Sequence, residues 1–555
     1  MNTLDIVQKA VSKRFNVLFK RMDDDADLAY LDKYVLKDSS GNAINDSVSI
    51  TMNDPAVFAN AIASILIAAT WQTVIEGSRD KLSGRKTHEI ETFLDDLDTS
   101  IEDKYPKAGI GGVHTFHCNH ICVRGWAGER VLWLEDEDGE VYPDVLPMDM
   151  RYFIYERGRK FLNWGCYMTY RTPELIKVEY PDAKVSGDDE ILVYDYWDDE
   201  KNEVWIADTK VFYQKNELGY PPFVMQPCPA GFMLLDKGYM VREGESLFFL
   251  DRALYPELNR LMSIDQTMAM KLVMPPYQKQ EADLSDTNPG YPGGIGQVKK
   301  VLPDEKYELI PMPDINKGSE VAHNNIYGAI QRGGVNNIDL GNIQQSTSAI
   351  WITEQSEIRN KLLLPRIQAL TQLKENRARM LIDQFYTGGI GNVELGKMGK
   401  RHDYDRSKVG DPLDYSISYR LMTKDKKQEI ANIAVADAAK DKLSRITILR
   451  DVIKSDDPEG EIARLHSDEA ETFDPVIKFI RITIGLLDEA ENLTGDEADQ
   501  KRLEAKRLAT KCVDMIKQEK MGMMPQPSQS AKGQPSPPKE GNKAMALTAL
   551  PGLGV

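Results

Sequence analysis

Residues 319–389 read SEVAHNNIYGAIQRGGVNNIDLGNIQQSTSAIWITEQSEIRNKLLLPRIQALTQLKENRARMLIDQFYTGG. A short helical pattern ends at Gly333-Gly334, a polar loop of Asn, Gly, Gln and Ser follows, and from about Ser348 a second pattern runs to Tyr386. Its apolar positions Ile350, Ile358, Leu362, Ile367, Leu370, Leu373, Leu381 and Phe385 recur at three, four or eight, apart from one step of five. That is the spacing of one buried helical stripe. The odd step spans Pro365, which deletes a backbone hydrogen bond and crowds the preceding turn, so a kink is expected there. At 1.5 Å per residue the helix is about 60 Å long, too long for an ordinary compact domain, and it predicts a spoke in a large assembly.

Upstream lies another long helical pattern, Glu245 to Val273, with Leu247, Leu250, Leu254, Leu258, Leu261, Met268 and Leu272 on one face. Pro256 is expected to kink it, and Pro275-Pro276 stops it. Between the helices, residues 277–315 are turn-rich, with strands expected at Gly296 to Leu302 and Tyr307 to Pro311. The order is helix, small β excursion, helix, glycine-punctuated loop, long kinked helix. It resembles the stem, clip, second stem helix, tunnel loop and kinked wing helix of tailed-bacteriophage portal (head-tail connector) proteins. No single motif carries the resemblance; the order of elements does.

Most of the remaining chain fits the same order. Residues 1 to about 110 read as mainly helical, with an opening amphipathic helix, a loop at Lys37 to Asn45, an uncharged helix and another helix at Thr87 to Tyr105. From Gly111 a helix leads into a hairpin, Arg130 to Leu134 and Glu140 to Val145, about Asp138-Gly139. Strands are expected at Lys160 to Tyr170, Glu190 to Trp197, Val204 to Tyr213 and Phe223 to Gln226, with a short helix at Pro173 to Tyr180. This part is similar to the α/β wing of portals, and the strand Tyr415 to Leu421 is expected to return to it. Helices at Lys424 to Lys454, Pro475 to Asn492 and Asp496 to Glu519 resemble a portal crown. The Pro-, Ser-, Gly- and Met-rich residues 521–555 are expected to be disordered.

The resemblance thus implies an α+β, portal-like fold. The wing would span residues 1–243, the first stem helix 244–274, the clip 275–316 and the second stem helix 317–332. The channel loop would be 333–347, the kinked helix with its return to the wing 348–423, and the helical crown 424–520. It also implies a ring of about twelve identical subunits, closed by heterologous contacts, at one capsid vertex of a virion and assembled in the host cytoplasm. Double-stranded DNA would pass through the ring during packaging and ejection. The implied partners are terminase, a tail adaptor protein and the major capsid or scaffolding protein, with no catalytic residue, cofactor, metal or membrane. The channel loop suits such a role: Gly333, Gly334 and Gly341 permit unusual backbone angles, and Asn336, Asn337, Asn342, Gln344 and Gln345 offer neutral hydrogen bonds without a firm phosphate grip. The plainer reading is an ordinary connection between helices. Lys299, Lys300 and Lys306 in the excursion would either meet DNA at the exit or simply be solvated.

Composition is compatible with this. The 555 residues carry a formal net charge of −18 and 41% hydrophobic residues, which suits several domains and argues against a protein that grips phosphates tightly. It does not exclude a wall past which DNA slides. Five scattered cysteines, Cys118, Cys122, Cys166, Cys228 and Cys512, read as reduced thiols of a cytosolic compartment. Pro55 to Ile75 has no charge over 21 residues, long enough for a membrane span. Its internal Asn, Ser, Thr and Gln, and a good N-cap at Asn53-Asp54-Pro55, favour a buried or subunit-interface helix instead.

Three patterns come near to chemistry. Gly391 to Met398, GNVELGKM, has phosphate-loop spacing as far as Lys397, but Met398 stands where a magnesium-binding hydroxyl is required. The runs Asp23-Asp24-Asp25, Asp95-Asp96 and Asp198-Asp199 read as solvated surface. HTFHCNHIC, residues 114–122, concentrates zinc-capable side chains, and on a helix His114, His117 and Cys118 share a face. The alternative to a conduit is therefore a metal-dependent enzyme built on His114, His117, Cys118 and Cys122, against which stands the plain reading of hydrogen-bonded core imidazoles.

Overall fold

The structure is a computed structural model that describes residues 2–77, 82, 84–107, 111–136, 138–230, 234, 236–273, 277–280, 306–309, 316–334, 349–397, 399–422, 436–437, 439–440, 442–453, 458–491 and 496–520. It divides into two compact units, Met1–Glu459 and Gly460–Val555. In the first, α1 (Thr3–Ala10), a π-helical turn and α2 (Asn16–Tyr30) lay Val7, Phe15, Leu18, Phe19 and Met22 into one core. Leu31, with φ of 58°, ends α2 in the left-handed region.

Next come α3 (Asp54–Ala68) and β1 (Thr70–Gly77). The uncharged run is therefore not one helix to Ile75 as expected: the helix stops at Ala68 and β1 begins at Thr70. β-branched residues and Trp71 pleat comfortably, and the strand finds a partner far along the chain. The helices α4 (Gly84–Lys107) and α5 (Val113–Val123) follow.

β2 (Trp126–Glu135) and β3 (Val141–Pro147) form a hairpin in which Glu135 faces Val141, and β9 (Phe223–Pro227) pairs with the other edge of β2. Between them an antiparallel sheet runs in the order β4-β5-β6-β7-β8: β4 (Phe153–Arg157), β5 (Leu162–Arg171), β6 (Ile191–Asp198), β7 (Lys201–Ile206) and β8 (Thr209–Lys215). The strand expected over Val204 to Tyr213 is two strands, because Ala207 at φ 50° and Asp208 turn the chain back. A short α6 (Pro173–Glu179), with Pro173 in its first turn and Thr172 capping Leu175 N, packs Ile176 on Val193 and Val204.

The helix expected from Glu245 begins later. Ser246 caps a 3₁₀ turn at Leu247–Leu250, and α7 runs Leu254–Val273. Pro256 thus lies in the first helical turn, where its missing N–H costs nothing, and it has no cause to kink the helix. β10 (Tyr277–Gln280) pairs antiparallel with β11 (Lys306–Leu309), so the excursion is pinched at its base. The Gly296 to Leu302 strand lies outside the described residues. α8 (Asn316–Gly333) and α9 (Ala349–Thr387, 39 residues) follow, and α9 continues as one helix through Pro365. A hairpin of β12 (Val393–Lys397) and β13 (Lys400–Tyr404), a short α10 (Arg406–Val409) and β14 (Tyr415–Met422) complete this run. β14 pairs along its whole length with β1, Thr70 facing Met422. The main core gathers Ile62, Leu66, Phe93, Ile121, Leu370, Leu381 and Phe385.

The second unit contains α11 (Pro458–Phe473, which starts just before it), α12 (Pro475–Glu491) and α13 (Asp496–Lys520), with α12 packed on α13. No described helix is long and apolar enough to cross a membrane.

One local device ties the N-terminal part to α7. Asn259, Ser263 and Thr267, one helical turn apart, accept hydrogen bonds from the backbone N–H groups of Met52 (2.8 Å), Ile50 (2.8 Å) and Val48 (2.9 Å). On the other edge of the same extended segment, Thr51 and Ser49 accept from Tyr34 N and Leu36 N. Ser263 is fully buried, so Ser263→Val leaves the Ile50 N–H unpaired and is expected to cost about 1–3 kcal/mol, measured as a lower denaturation midpoint than that of the Ser263→Thr chain.

Candidate functional site

The loop singled out in the sequence hangs from a well-defined root. α7 and α8 lie together through Ser319 Oγ, 2.5 Å from Asp265 Oδ1. Gly334 N closes the last turn of α8 by donating to Ile330 O at 2.9 Å. Gly333 is the last residue of that helix and Gly334 the bend beyond it, whereas Asn336, Asn337, Gly341, Asn342, Gln344 and Gln345 lie outside the described residues. So do Lys299, Lys300 and residues 521–555.

Against this root sits Asp251, 2% exposed, with Oδ2 buried and without a hydrogen-bond partner among the described residues. A methyl group on Gly333 would collide with its carboxylate, which would have to move to admit it, so close approach rather than φ is what favours glycine there. Helix ends expose carbonyl oxygens, which do not stabilise a second negative charge. Burial pushes the Asp251 pKa up to about 6. No sequence signal marked this residue.

The long helix α9 carries three buried cations into the core. Arg366 donates to Ser246 O at 3.0 Å, Lys374 pairs with Asp98 at 2.8 Å, and Arg377 lies 3.4 Å from Asp98 and 3.5 Å from Glu129. Lys374 also sits 4.7 Å from the ring centres of both Trp71 and Tyr419, a cation between two aromatic faces. Burial lowers its pKa, opposed by Asp98. Trp71, Asp98, Lys374 and Arg377 line a cavity of about 480 Å³ together with Glu102, His114 and His117. Its charges are largely matched within the cavity, as a structural ion-pair network requires.

The histidine and cysteine cluster is absorbed by the same core. His117 Nε2 lies 2.8 Å from Glu129 Oε2, and the ring of His114 lies between Trp71 Nε1 (3.4 Å) and Leu66 O (3.2 Å). Burial, with Lys374 nearby, depresses His114 to about 4. His120 stacks on Phe116 at 3.8 Å, away from the others. Burial pushes the Cys118 thiol well up and that of Cys122 up to about 12. Among the described residues no three His, Cys, Asp or Glu side chains converge as a metal site.

The other patterns also resolve into structure. Lys397 ends a strand rather than opening a helix. Asp25 is not solvated: it is fully buried and held by Arg252 at 2.5 and 2.8 Å, with Glu245 joining at 2.9 Å. Asp96 accepts from Tyr404 at 2.6 Å, and Asp95 from Thr73 at 2.6 Å. Asp198 caps the turn at Glu200 and Lys201.

No protein-family model and no curated protein matches the chain. Among solved structures, a chain described as "Neck of native GTA particle computed with C12 symmetry" is similar over 71% of this chain and 88% of its own, at 12% identity and a TM-score of 0.35. One from "Neck of empty GTA particle computed with C6 symmetry" matches over 71% and 88%, at 13% and 0.36. One from "Virion of native gene transfer agent (GTA) particle" matches over 72% and 89%, at 12% and 0.36. Scores of this size establish neither fold nor function.

Asp251 yields a signed pH dependence. Its folded pKa is raised above the unfolded value near 3.9, so the native state binds more protons there, and stability from this group is lost as pH rises through about 6. Asp251→Asn is expected to stabilise the chain more at pH 8 than at pH 5 in denaturant unfolding.

Proposed function

We propose that the chain is a portal-like subunit, one of about twelve that form a ring-shaped DNA conduit at a capsid vertex. The observation that carries this is the run from α7 to α9. One helix leads out, a strand pair closes the base of a 25-residue excursion (281–305), a second helix packed on the first leads back, and a 39-residue helix follows the loop. α7 and α8 would line the wall, the excursion would bind terminase and then a tail adaptor, and the Gly333 to Thr347 loop would touch passing DNA. The α/β part would be the wing, into which the chain returns through the β1–β14 pair, and the helices beyond residue 424 the crown.

Kinking of α9 at Pro365 belongs to this reading, as do contacts with the major capsid or scaffolding protein, a place in the virion and the absence of catalysis. The acidic balance suits a channel that must release DNA, since loosely held phosphates slide. The buried His117–Glu129 and Lys374–Asp98 pairs favour packing over the metal-enzyme alternative.

Native mass spectrometry of the untagged full chain is expected to give a closed species near twelve times 62.7 kDa. A persistent monomer or dimer carrying stoichiometric metal would overturn the conduit and return attention to His114.

A further inference from the structure

Helix α12 is apolar over more of its circumference than α13 covers. Val476 is buried, and Ile477, Phe479, Thr483 and Leu486 are half-buried. From the half-buried Ile477, the exposed Ile480, Ile484 and Leu487 follow at steps of three, four and three, the spacing of a helix-packing seam. Ile480 is 41%, Ile484 53% and Leu487 44% exposed, and Phe473 beside them 86%. Helices with so wide an apolar surface are normally buried, and such a patch marks an interface.

The flanking charge says what covers it. By sequence, α11 holds five carboxylates against the single cation Arg464. Between Lys501 and Lys511, α13 holds five cations against the single carboxylate Glu504, with Lys506, Arg507 and Lys511 exposed. The same unit therefore carries an acidic helix and, within an α13 that is nearly neutral over its whole length, one local basic stretch. Setting α11 of one copy on this stretch of α13 in another brings opposite charges together, and in the ring read above such a contact repeats head to tail until the ring closes.

We propose that the Ile477 to Leu487 seam is the docking face for a second copy of this chain, with the acidic α11 of one copy set against the basic stretch of α13 in the next. The inference rests on the ring reading above and names one of the contacts that close the ring.

The test is native mass spectrometry of four full-length chains: the wild type, Lys506→Glu/Arg507→Glu, Asp468→Lys/Glu469→Lys, and all four substitutions together, with circular dichroism as a check on folding. The expected result is a ring for the wild type, its loss in each charge-reversed pair, and its recovery when both reversals are combined. In the wild-type background, Ile480→Ser/Ile484→Ser is expected to weaken assembly without recovery. Rings that persist in both charge variants, or failure to recover in the combined chain, overturn the head-to-tail contact while the ring reading stands. A wild-type chain that never assembles overturns the ring reading, and this contact with it.

Discussion

Burying Arg366, Lys374 and Arg377 on one face of α9 is the constraint that organises the first unit. A cation taken out of water must meet a partner in its new surroundings, and here each partner comes from a different part of the chain. Ser246 O lies on the approach to α7, Asp98 on α4, and Glu129 on β2, where it also meets His117 of α5. Between these polar points, Leu370, Leu373, Leu381 and Phe385 fill the core. α9 is therefore positioned by matched charges as well as by apolar area, and charge pairs of this kind fix one register where a greasy stripe would tolerate several.

The same logic holds the helix pair beside it. α7 grips the extended Val48–Met52 segment through Asn259, Ser263 and Thr267, and the half-buried Arg252, with the buried carboxylates of Asp25 and Glu245, links α2 to the turn before α7. The Gly333–Gly334 corner then abuts the Asp251 carboxylate, whose Oδ2 has no hydrogen-bond partner among the described residues. A polar ladder on one side and, at the loop root, a buried acid with one oxygen unpartnered among the described residues lie where the chain departs into the loop proposed to touch DNA.

Long-period features were legible from the residues alone. α8 and α9 begin and end within a few residues of the expected limits, the β2–β3 hairpin turns at Asp138-Gly139, and β14 occupies Tyr415–Met422. Each is long or punctuated by glycine, so local periodicity carried the information. Where pairing depends on distant chain, local signals failed: β1 read as a continuation of α3 because its partner lies some 340 residues away. Asp25 read as surface because its charged neighbours suggested water, although Arg252 takes it inside. For α9 a clue was present, since Lys374 and Arg377 stand beside the Leu370, Leu373 and Leu381 stripe. The Asn259, Ser263 and Thr267 spacing was a similar clue on α7. Nothing local foretold Asp251 at the loop root.

The most direct measurement is a single-particle electron-microscopy map of the assembled full chain. The predicted result is a ring with α7 and α8 of every copy around an axial hole of about 20 Å or more, wide enough for a duplex whose major groove alone spans about 12 Å. A particle without an axial hole, or one in which α7 and α8 face away from the axis, would contradict the conduit.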